Sequence, residues 1–267
     1  MLINKVKSKF ESDLVNRGYI VKNINNKNLK LLNEISNSIF EYSKSILPKK
    51  KIKETIAQKF FDNFAEYMSP NNLNDFRIKL INLINSNFKI KEILYQISKD
   101  VLDEVVGNEL AVQKRLNLSI QLPNDDSSLL PVHADTWSGD SPFEIVLWVP
   151  FVNCYGTKSM YILPPSGNKN FLNDFVNFKN LNAEEIFQKI KDDVDWIKIN
   201  YGQIMLFNQS LPHGNVVNLE DKTRWSFNCR FKSIFSPYGD KKLGEFFEPL
   251  NLKVMSKIGM SYKYPKI

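Results

Sequence analysis

The chain has 267 residues, of which 43% are hydrophobic and 12% aromatic, so it can bury a core and is not a disordered protein. Its 36 lysines and arginines outnumber its 29 acidic residues, giving a net charge of +7 that is spread along the chain without a groove-reading motif. The tightest basic cluster, residues 48–53, is expected to open a helix and face water, so no nucleic-acid partner is expected. No apolar run approaches the ~18 residues of a membrane span, which excludes an integral membrane protein.

The start of the chain and its two cysteines favour a cytoplasmic protein. Residues 1–7 contain lysines without the apolar stretch of a secretory signal behind them. Cys154 and Cys229 lie far apart and have no metal-binding spacing, so neither a disulfide framework nor a structural zinc site is expected.

Before Gly107 the apolar residues recur at helical spacing, which predicts that residues 1–107 form a mostly helical support. One short strand is expected at residues 18–21, after a first helix. The aromatic stripe at residues 60–68 is interpreted as core packing rather than a cofactor site. The other stripes are Leu31, Leu32, Ile35 and Ile39; Leu73, Phe76, Leu80 and Ile84; and Ile90, Ile93, Leu94, Ile97, Val101, Leu102 and Val105.

After Gly107 the pattern changes to short strands separated by proline, glycine and asparagine. The expected strands are residues 116–122, 130–135, 143–151, 159–163, 195–199, 203–207, 214–218 and 223–234. This pattern predicts a β-sandwich or a double-sheet jelly roll over residues 108–236, within a single α+β domain that covers residues 1–267.

Two segments fall outside these strands. Residues 166–193 form an insertion with an expected helix after Asn182, and such a long connection in a β core is a candidate lid. Residues 237–267 are expected to be an irregular tail that wraps the core or contacts a partner subunit in a homodimer.

The chain has two histidines, and both have informative neighbours. His133 and Asp135 are two residues apart on an expected strand, so their side chains point to the same face. With His213 they would supply two imidazoles and one carboxylate, the set that binds Fe(II) and leaves other coordination positions open. Asp140 and Glu144 are rival carboxylates, but their spacing from His133 fits a metal poorly. Without a metal, His133 would end a strand, Asp135 would form a turn and His213 would lie in a loop.

Residues 224–232 alternate strictly between polar and apolar side chains. One face carries Arg224, Ser226, Asn228, Arg230 and Lys232, and the other carries Trp225, Phe227, Cys229 and Phe231. The polar face either meets water or lines a cavity for a polar, anionic ligand. Arginine favours the cavity, because its planar fork matches a carboxylate.

Taken together, His133-Ala134-Asp135, His213, Arg224 and Ser226 resemble the motifs of the Fe(II)/2-oxoglutarate-dependent oxygenase superfamily. The first helix and the strand at residues 18–21 resemble its phytanoyl-hydroxylase-like branch. More narrowly, residues 133–144 and 157–160 resemble the oxygenases of bacterial carbohydrate-biosynthesis clusters. The matching motifs lie within residues 113–234.

This resemblance implies a double-stranded β-helix, or jelly roll, with Fe(II) bound by His133, Asp135 and His213. It implies that 2-oxoglutarate chelates the iron and that its far carboxylate pairs with Arg224 and Ser226. O2 would take the remaining position, and decarboxylation of 2-oxoglutarate to succinate would accompany oxidation of a substrate carbon. Because Asp135 stands where halogenating relatives have a small residue, hydroxylation, desaturation or epimerisation is favoured over halogenation.

Asn117, Ser119 and Gln121 alternate on the strand before the metal motif. They either hydrogen-bond the cosubstrate or lie on a solvated face. This position makes Asn117 and Gln121 candidates for cofactor binding.

Four further residues are candidate substrate contacts. Trp137 would floor the substrate pocket or pack in the core, and Lys158 and Ser159 would contact substrate. Arg230, on the same face as Arg224, would bind an acidic substrate group or a structural carboxylate.

The expected function is therefore a non-haem Fe(II)/2-oxoglutarate-dependent dioxygenase that hydroxylates a small polar metabolite, such as a sugar or polysaccharide precursor. Two other classes stay open. A cupin-like metal-dependent sugar isomerase or epimerase would use the same three ligands without 2-oxoglutarate and would not need Arg224. An inactive binding module would have no metal affinity.

Overall fold

A computed structural model of the chain describes residues 10–47, 52–87 and 89–265. The expectations for residues 1–7 and for the basic cluster at residues 48–51 lie outside the described residues. The helices are α1 (Glu11–Asn16), α2 (Asn26–Ile46), α3 (Ala57–Asp62), α4 (Pro70–Asn85), α5 (Lys89–Val105), α6 (Pro165–Asn173), α7 (Ala183–Ile190) and α8 (Val254–Ser261). None of these helices is both long and apolar enough to cross a bilayer.

The strands form two antiparallel sheets, so the architecture is mixed, with helices beside antiparallel sheets. The strands are β1 (Tyr19–Asn23), β2 (Leu110–Gln113), β3 (Asn117–Gln121), β4 (Glu144–Pro150), β5 (Tyr161–Ile162), β6 (Asp195–Trp196), β7 (Gln203–Asn208), β8 (His213–Gly214), β9 (Arg224–Ser233) and β10 (Phe247–Asn251). The larger sheet has the order β1-β7-β4-β9-β2-β10, and β3 also pairs with β9. The smaller sheet has the order β6-β5-β8, and His133 pairs with His213 at its edge.

The helices predicted from the apolar stripes pack against the outer face of the larger sheet. Trp225 of β9 is fully buried, and its indole ring lies 4.7 Å from the ring of Phe61 and 4.8 Å from that of Phe64. The aromatic stripe at residues 60–68 is thus core packing, as its helical spacing predicts. The strict alternation of β9 directs these apolar side chains away from its polar face.

The strand expected at residues 130–135 is wrong in extent. It is reduced to the backbone pair between His133 and His213, and Asp135 begins a 3-10 turn (Asp135–Ser138). Pro131 has no amide hydrogen, and the amide of Leu130 donates to the side chain of Asn215, so a continuous ladder cannot form.

The tail is more regular than predicted, so the expectation of an irregular segment after residue 237 is corrected. β10 pairs with β2 at the edge of the larger sheet, and α8 follows it. Pro249 interrupts the β pattern in the sequence, but an edge strand accommodates proline because one side of it needs no ladder bond. β2 was also missed, because its apolar run continues the stripe of α5.

The insertion at residues 166–193 packs on the smaller sheet. Phe171 of α6 and Ile190 of α7 share an apolar cluster with Tyr161 of β5. The helix expected after Asn182 is α7, and its first turn has a capping box in which Asn182 and Glu185 accept each other's backbone amides.

Candidate metal and cosubstrate site

His133, Asp135 and His213 form a cluster with the geometry of a metal site. One ligand atom from each residue lies within 4.8 Å of the others, and the two imidazole centroids are 4.3 Å apart. The backbone pair between His133 and His213 holds the two histidines side by side, and the 3-10 turn brings Asp135 beside them. The structure therefore brings together the three predicted ligands, although Asp135 leaves the strand.

Both imidazoles are held in the tautomer that leaves Nε2 free to bind a metal. Nδ1 of His133 lies 2.8 Å from the carbonyl oxygen of Pro131, and Nδ1 of His213 lies 2.8 Å from that of Leu211. Because a carbonyl oxygen only accepts, each Nδ1 carries the hydrogen, and each Nε2 keeps a free lone pair. Burial, helped by the neighbouring His133, lowers the pKa of His213 to about 4, so this imidazole is neutral at physiological pH.

Asp135 is buried and fixed from two sides. Its backbone amide donates to the carbonyl of Gln209 at 3.0 Å, and its Oδ2 accepts from Nη2 of Arg230 at 2.8 Å. Its other oxygen, Oδ1, lies 3.6 Å from Nε2 of His133. One carboxylate oxygen thus faces the histidines, while the other is held by a cation.

Of the two alternatives expected for Arg230, the structure places its guanidinium against a carboxylate of the chain, that of Asp135. The guanidinium lines the cavity, but Nε donates to Oε1 of Gln209 at 2.9 Å, and Nη2 holds the carboxylate. The Gln209 amide in turn donates to Oε2 of Glu144 at 2.9 Å. Sequence reasoning missed Gln209, because a lone glutamine four residues before a histidine carries no recognisable signal.

The two rival carboxylates are engaged elsewhere. Asp140 is buried against Lys241, whose ammonium lies 2.6 Å from Oδ2. Glu144 accepts from Gln209 and from the Ser141 amide, and burial raises the pKa of this carboxyl. Neither residue belongs to the metal cluster.

A cavity of about 480 Å³ opens between the two sheets beside the metal cluster. The histidines reach it from the smaller sheet, and the polar face of β9 reaches it from the larger one. That face contributes Arg224, Ser226, Asn228 and Arg230. The polar side of the strand thus lines a cavity rather than meeting bulk water, while Lys232 is buried against Pro237 and Tyr238.

Arg224 places a buried cation in this cavity. The side chain is 3% exposed, and its guanidinium donates to the Ser159 carbonyl (2.9 Å) and to Oγ of Ser119 (3.0 Å). Among the described residues, no carboxylate lies within 4.0 Å of it, and its Nε has no hydrogen-bond partner. Burial lowers the pKa of Arg224 to about 10, which reflects the cost of desolvating the cation. A buried cation in this state is complementary to an anion.

The other predicted cosubstrate residues divide into two groups. Asn117 and Ser226 line the cavity, and Oγ of Ser226 is buried without a hydrogen-bond partner among the described residues. Gln121 is buried outside the cavity lining, where its amide donates to the carbonyl of Val216 at 2.6 Å. Its Oε1 is buried without a hydrogen-bond partner among the described residues, so the contact of Gln121 with the cosubstrate stays a prediction.

The other predicted substrate contacts lie away from the cavity wall. Lys158 is buried, and its ammonium lies 2.5 Å from a carboxylate oxygen of Asp62, so it ties the smaller sheet to α3. Ser159 donates to the carbonyl of Ile197. Trp137 is 43% exposed and stacks on Phe171 of α6, so it neither floors the cavity nor packs in the core. No residue of the 166–193 insertion lines the cavity, so the lid prediction has no support.

The helical part of the chain contributes to the cavity in a way the sequence did not reveal. Arg77 and Ile81 of α4 line it, together with the loop at residues 127–130. The apolar stripe of α4 predicts a helix, but it does not predict which polar residue beside the stripe faces a site.

The sequence matches no family model and no curated protein, whereas solved structures resemble the fold. HygX from Streptomyces hygroscopicus, solved with nickel and 2-oxoglutarate bound, superposes with a TM-score of 0.52 at 11% identity, covering 89% of this chain and 90% of HygX. EctD from S. alaskensis in its apo form superposes with a TM-score of 0.50 at 11% identity, covering 87% of this chain and 79% of EctD. Other structures of EctD contain bound Fe, or 2-oxoglutarate with 5-hydroxyectoine. The chain shares their fold. The predicted resemblance is thus confirmed at the level of the fold.

Proposed function

We propose that this protein is a non-haem Fe(II)/2-oxoglutarate-dependent dioxygenase that hydroxylates a small polar metabolite. The observation that carries the proposal is Arg224, a buried guanidinium without a carboxylate partner that lines the same cavity as the histidine–aspartate cluster. A metal site alone would fit many enzymes. A metal site beside a buried, unpaired arginine fits a cosubstrate that binds the metal at one end and carries a carboxylate at the other.

We infer that the β core is a double-stranded β-helix from the route of the chain between the sheets. The His133 segment, which pairs with His213, counts as one strand of the smaller sheet. Of the eight strands in the core, the larger sheet then contains β3, β4, β7 and β9, and the smaller sheet contains the His133 segment, β5, β6 and β8. Eight strands divided in this way between two antiparallel sheets are typical of a jelly roll. The fold shared with HygX supports this inference.

The residues that line the cavity fit both a divalent metal ion and 2-oxoglutarate. The Nε2 atoms of His133 and His213 and Oδ1 of Asp135 are free to bind a divalent metal ion. In the part of the chain that the structure describes, Arg224 Nε and Ser226 Oγ are buried donors without partners, suited to the far carboxylate of 2-oxoglutarate. When bound, iron and 2-oxoglutarate would supply the oxidising power by coupling O2 reduction to decarboxylation of the cosubstrate.

The chain itself supplies orientation and burial. The Pro131 and Leu211 carbonyls fix the two imidazoles, and Arg230 keeps Oδ2 of Asp135 turned away from the histidines. The buried walls of the cavity reduce access of water to the reacting groups. The protein thus positions and shields the cosubstrate.

The proposed substrate is a sugar or a polysaccharide precursor. This choice follows from the resemblance of residues 133–144 and 157–160 to oxygenases of bacterial carbohydrate-biosynthesis clusters. The polar lining of the cavity, with Asn117, Asn215 and Asn228, suits a ligand rich in hydroxyl groups.

We further propose a cytoplasmic homodimer. Both cysteines are free and buried, in keeping with a reducing compartment. Val254 and Met255 of α8 are each 72% exposed and offer apolar surface for a second copy of the chain. Sedimentation of the purified protein with and without Met255→Glu tests the dimer, which the charged side chain should weaken.

The test of the function is an anaerobic titration of the protein with Fe(II) and 2-oxoglutarate, monitored by the weak visible charge-transfer band of the chelate. His133→Ala should abolish the band by removing a ligand. Arg224→Met should require on the order of a hundredfold more 2-oxoglutarate, because a charge-assisted pair is lost. Arg115→Gln is the matched control, since this exposed arginine donates to Asn82 outside the cavity.

The outcomes separate the three functional classes. Metal binding without a band in the wild-type protein would favour the cupin-like isomerase. The absence of metal binding would leave an inactive binding module. A band that Arg224→Met does not affect would remove the arginine from the cosubstrate site.

A further inference from the structure

We propose that Arg77 binds an anionic group of the substrate, a carboxylate or a phosphate. This inference rests on the proposed function, because it assigns Arg224 to the cosubstrate and asks what a second arginine in the same cavity would bind. It places a specificity-determining residue in the N-terminal helical region, outside the sequence motifs.

Arg77 is a half-buried cation without a counter-ion. It projects from α4 into the cavity, and no described carboxylate lies within 4.0 Å of its guanidinium. Its one hydrogen bond among the described residues is a long one, 3.5 Å from Nη1 to Oγ of Ser128. The carboxylate of Asp125 attracts the guanidinium electrostatically but lies beyond ion-pair distance. This carboxylate already accepts hydrogen bonds from the amide and hydroxyl of Ser127.

The surroundings of Arg77 offer further donors on the same wall. Ser128 precedes Leu130 in the loop, and Leu130 forms two hydrogen bonds with Asn215 that join the loop to the segment after β8. Asn215 is 5% exposed and lines the cavity, and its Nδ2 donor is buried without a partner in residues 10–47, 52–87 and 89–265. An arginine, the hydroxyl of Ser128 and an unpaired amide donor form a set suited to the oxygens of an anion.

The charges of the described residues that line the cavity also leave Arg77 without an acidic partner. The described residues that line the cavity include three arginines and one aspartate. Arg230 is paired with Asp135, and Arg224 is assigned to the far carboxylate of 2-oxoglutarate. No described carboxylate of the chain forms an ion pair with Arg77, and its one printed hydrogen bond goes to a neutral hydroxyl. An anionic group on the substrate would supply the missing charge.

The experiment measures anion binding to the protein loaded anaerobically with Fe(II) and saturating 2-oxoglutarate, so that Arg224 is already occupied. Sodium sulfate, as a phosphate mimic, and sodium acetate, as a carboxylate mimic, are titrated by calorimetry at constant ionic strength. We expect at least one anion to bind, and Arg77→Gln to weaken it about tenfold or more, the loss typical of a charge-assisted hydrogen bond. Arg77→Lys should retain part of the affinity, and Arg115→Gln should retain all of it.

The charge-transfer band, recorded in parallel, separates the possible failures. Equal binding by wild-type protein and Arg77→Gln, or no binding by either, would overturn the inference while an intact band leaves the proposed function standing. A weaker affinity for 2-oxoglutarate in Arg77→Gln would assign Arg77 to the cosubstrate and also overturn it. If no band forms, the proposed function fails, and the same titration of metal-free protein still reports whether anion binding depends on Arg77.

Discussion

The two faces of β9 are both buried, but for opposite reasons. On one face, Trp225 and Phe227 are fully buried and pack against aromatic rings, as in the 4.7 Å contact between Phe151 and Phe227. On the other, Arg224 and Ser226 are almost as buried, yet each has a polar atom without a partner. Among the described residues, Nε1 of Trp225 also lacks a partner, but it lies among aromatic rings, whereas Arg224 and Ser226 line the cavity. Neither burial nor an unpaired polar atom alone therefore distinguishes core from site, whereas an unpaired polar atom on a cavity wall does.

The largest effect on stability is expected from disrupting the packing on the apolar face of β9. Trp225→Ala would remove a fully buried indole from the cluster that joins β9 to α3 and α4, and the helices cannot collapse fully into the space. We expect a loss of about 3–5 kcal/mol in the free energy of unfolding. Urea denaturation followed by circular dichroism measures this loss, and a midpoint unchanged from wild type would contradict the packing described for this face.

The next largest effect is expected on the polar face of β9, at Arg224, which is adjacent to Trp225. Arg224→Met keeps the length of the side chain and removes a cation that burial disfavours, so the free energy of unfolding should stay within about 1 kcal/mol of wild type. The affinity for 2-oxoglutarate should fall by about 2–3 kcal/mol in the anaerobic titration. A variant that unfolds like Trp225→Ala would show that Arg224 serves the core rather than the site.

A smaller effect is expected farther along the polar face. Arg230→Gln would release Oδ2 of Asp135 and break the link to Gln209, while leaving all three metal ligands in place. Metal affinity should fall on the order of tenfold, as for other residues that orient a ligand. Competition for Fe(II) against a chelator measures this change, with Arg115→Gln as the control. Unaltered affinity would limit Arg230 to packing.

The alternation of β9 could be predicted from the sequence because a strand repeats every two residues. The same rule predicted that His133 and Asp135 lie side by side, and they do so although Asp135 is in a 3-10 turn and not in a strand. The prediction was therefore right for a different structural reason. The ligands meet because the backbone pair of His133 with His213 and the following turn converge.

The residues that sequence reasoning placed wrongly are those whose partners lie far along the chain. Lys158 looked available to a substrate, but Asp62, 96 residues earlier, holds its ammonium. Gln209 and Arg77 carry no local pattern, and they acquire their roles only when β7 and α4 pack beside the cavity. Local periodicity predicts which face of an element is buried, whereas the contacts of a polar side chain depend on tertiary packing.

The smallest effect concerns a thiol on the apolar face of β9. Burial raises the pKa of Cys229 to about 12, and the same cause raises that of Cys154 to about 12. A raised pKa favours the unreactive thiol, so at pH 8 only about one molecule in ten thousand would carry the thiolate at either position. The native protein should therefore react negligibly with a thiol-specific disulfide reagent under conditions in which the denatured chain reacts at both cysteines.

This reactivity gives a second, independent measure of the two faces. Because Cys229 lies on the same face as Trp225, the Trp225→Ala change should accelerate its modification by loosening the packing that excludes the reagent. Arg224→Met alters the opposite face and should leave the rate close to that of wild type. If both variants accelerated the reaction equally, the faces of β9 would not be independent. Stability and ligand binding would then be coupled through the strand itself.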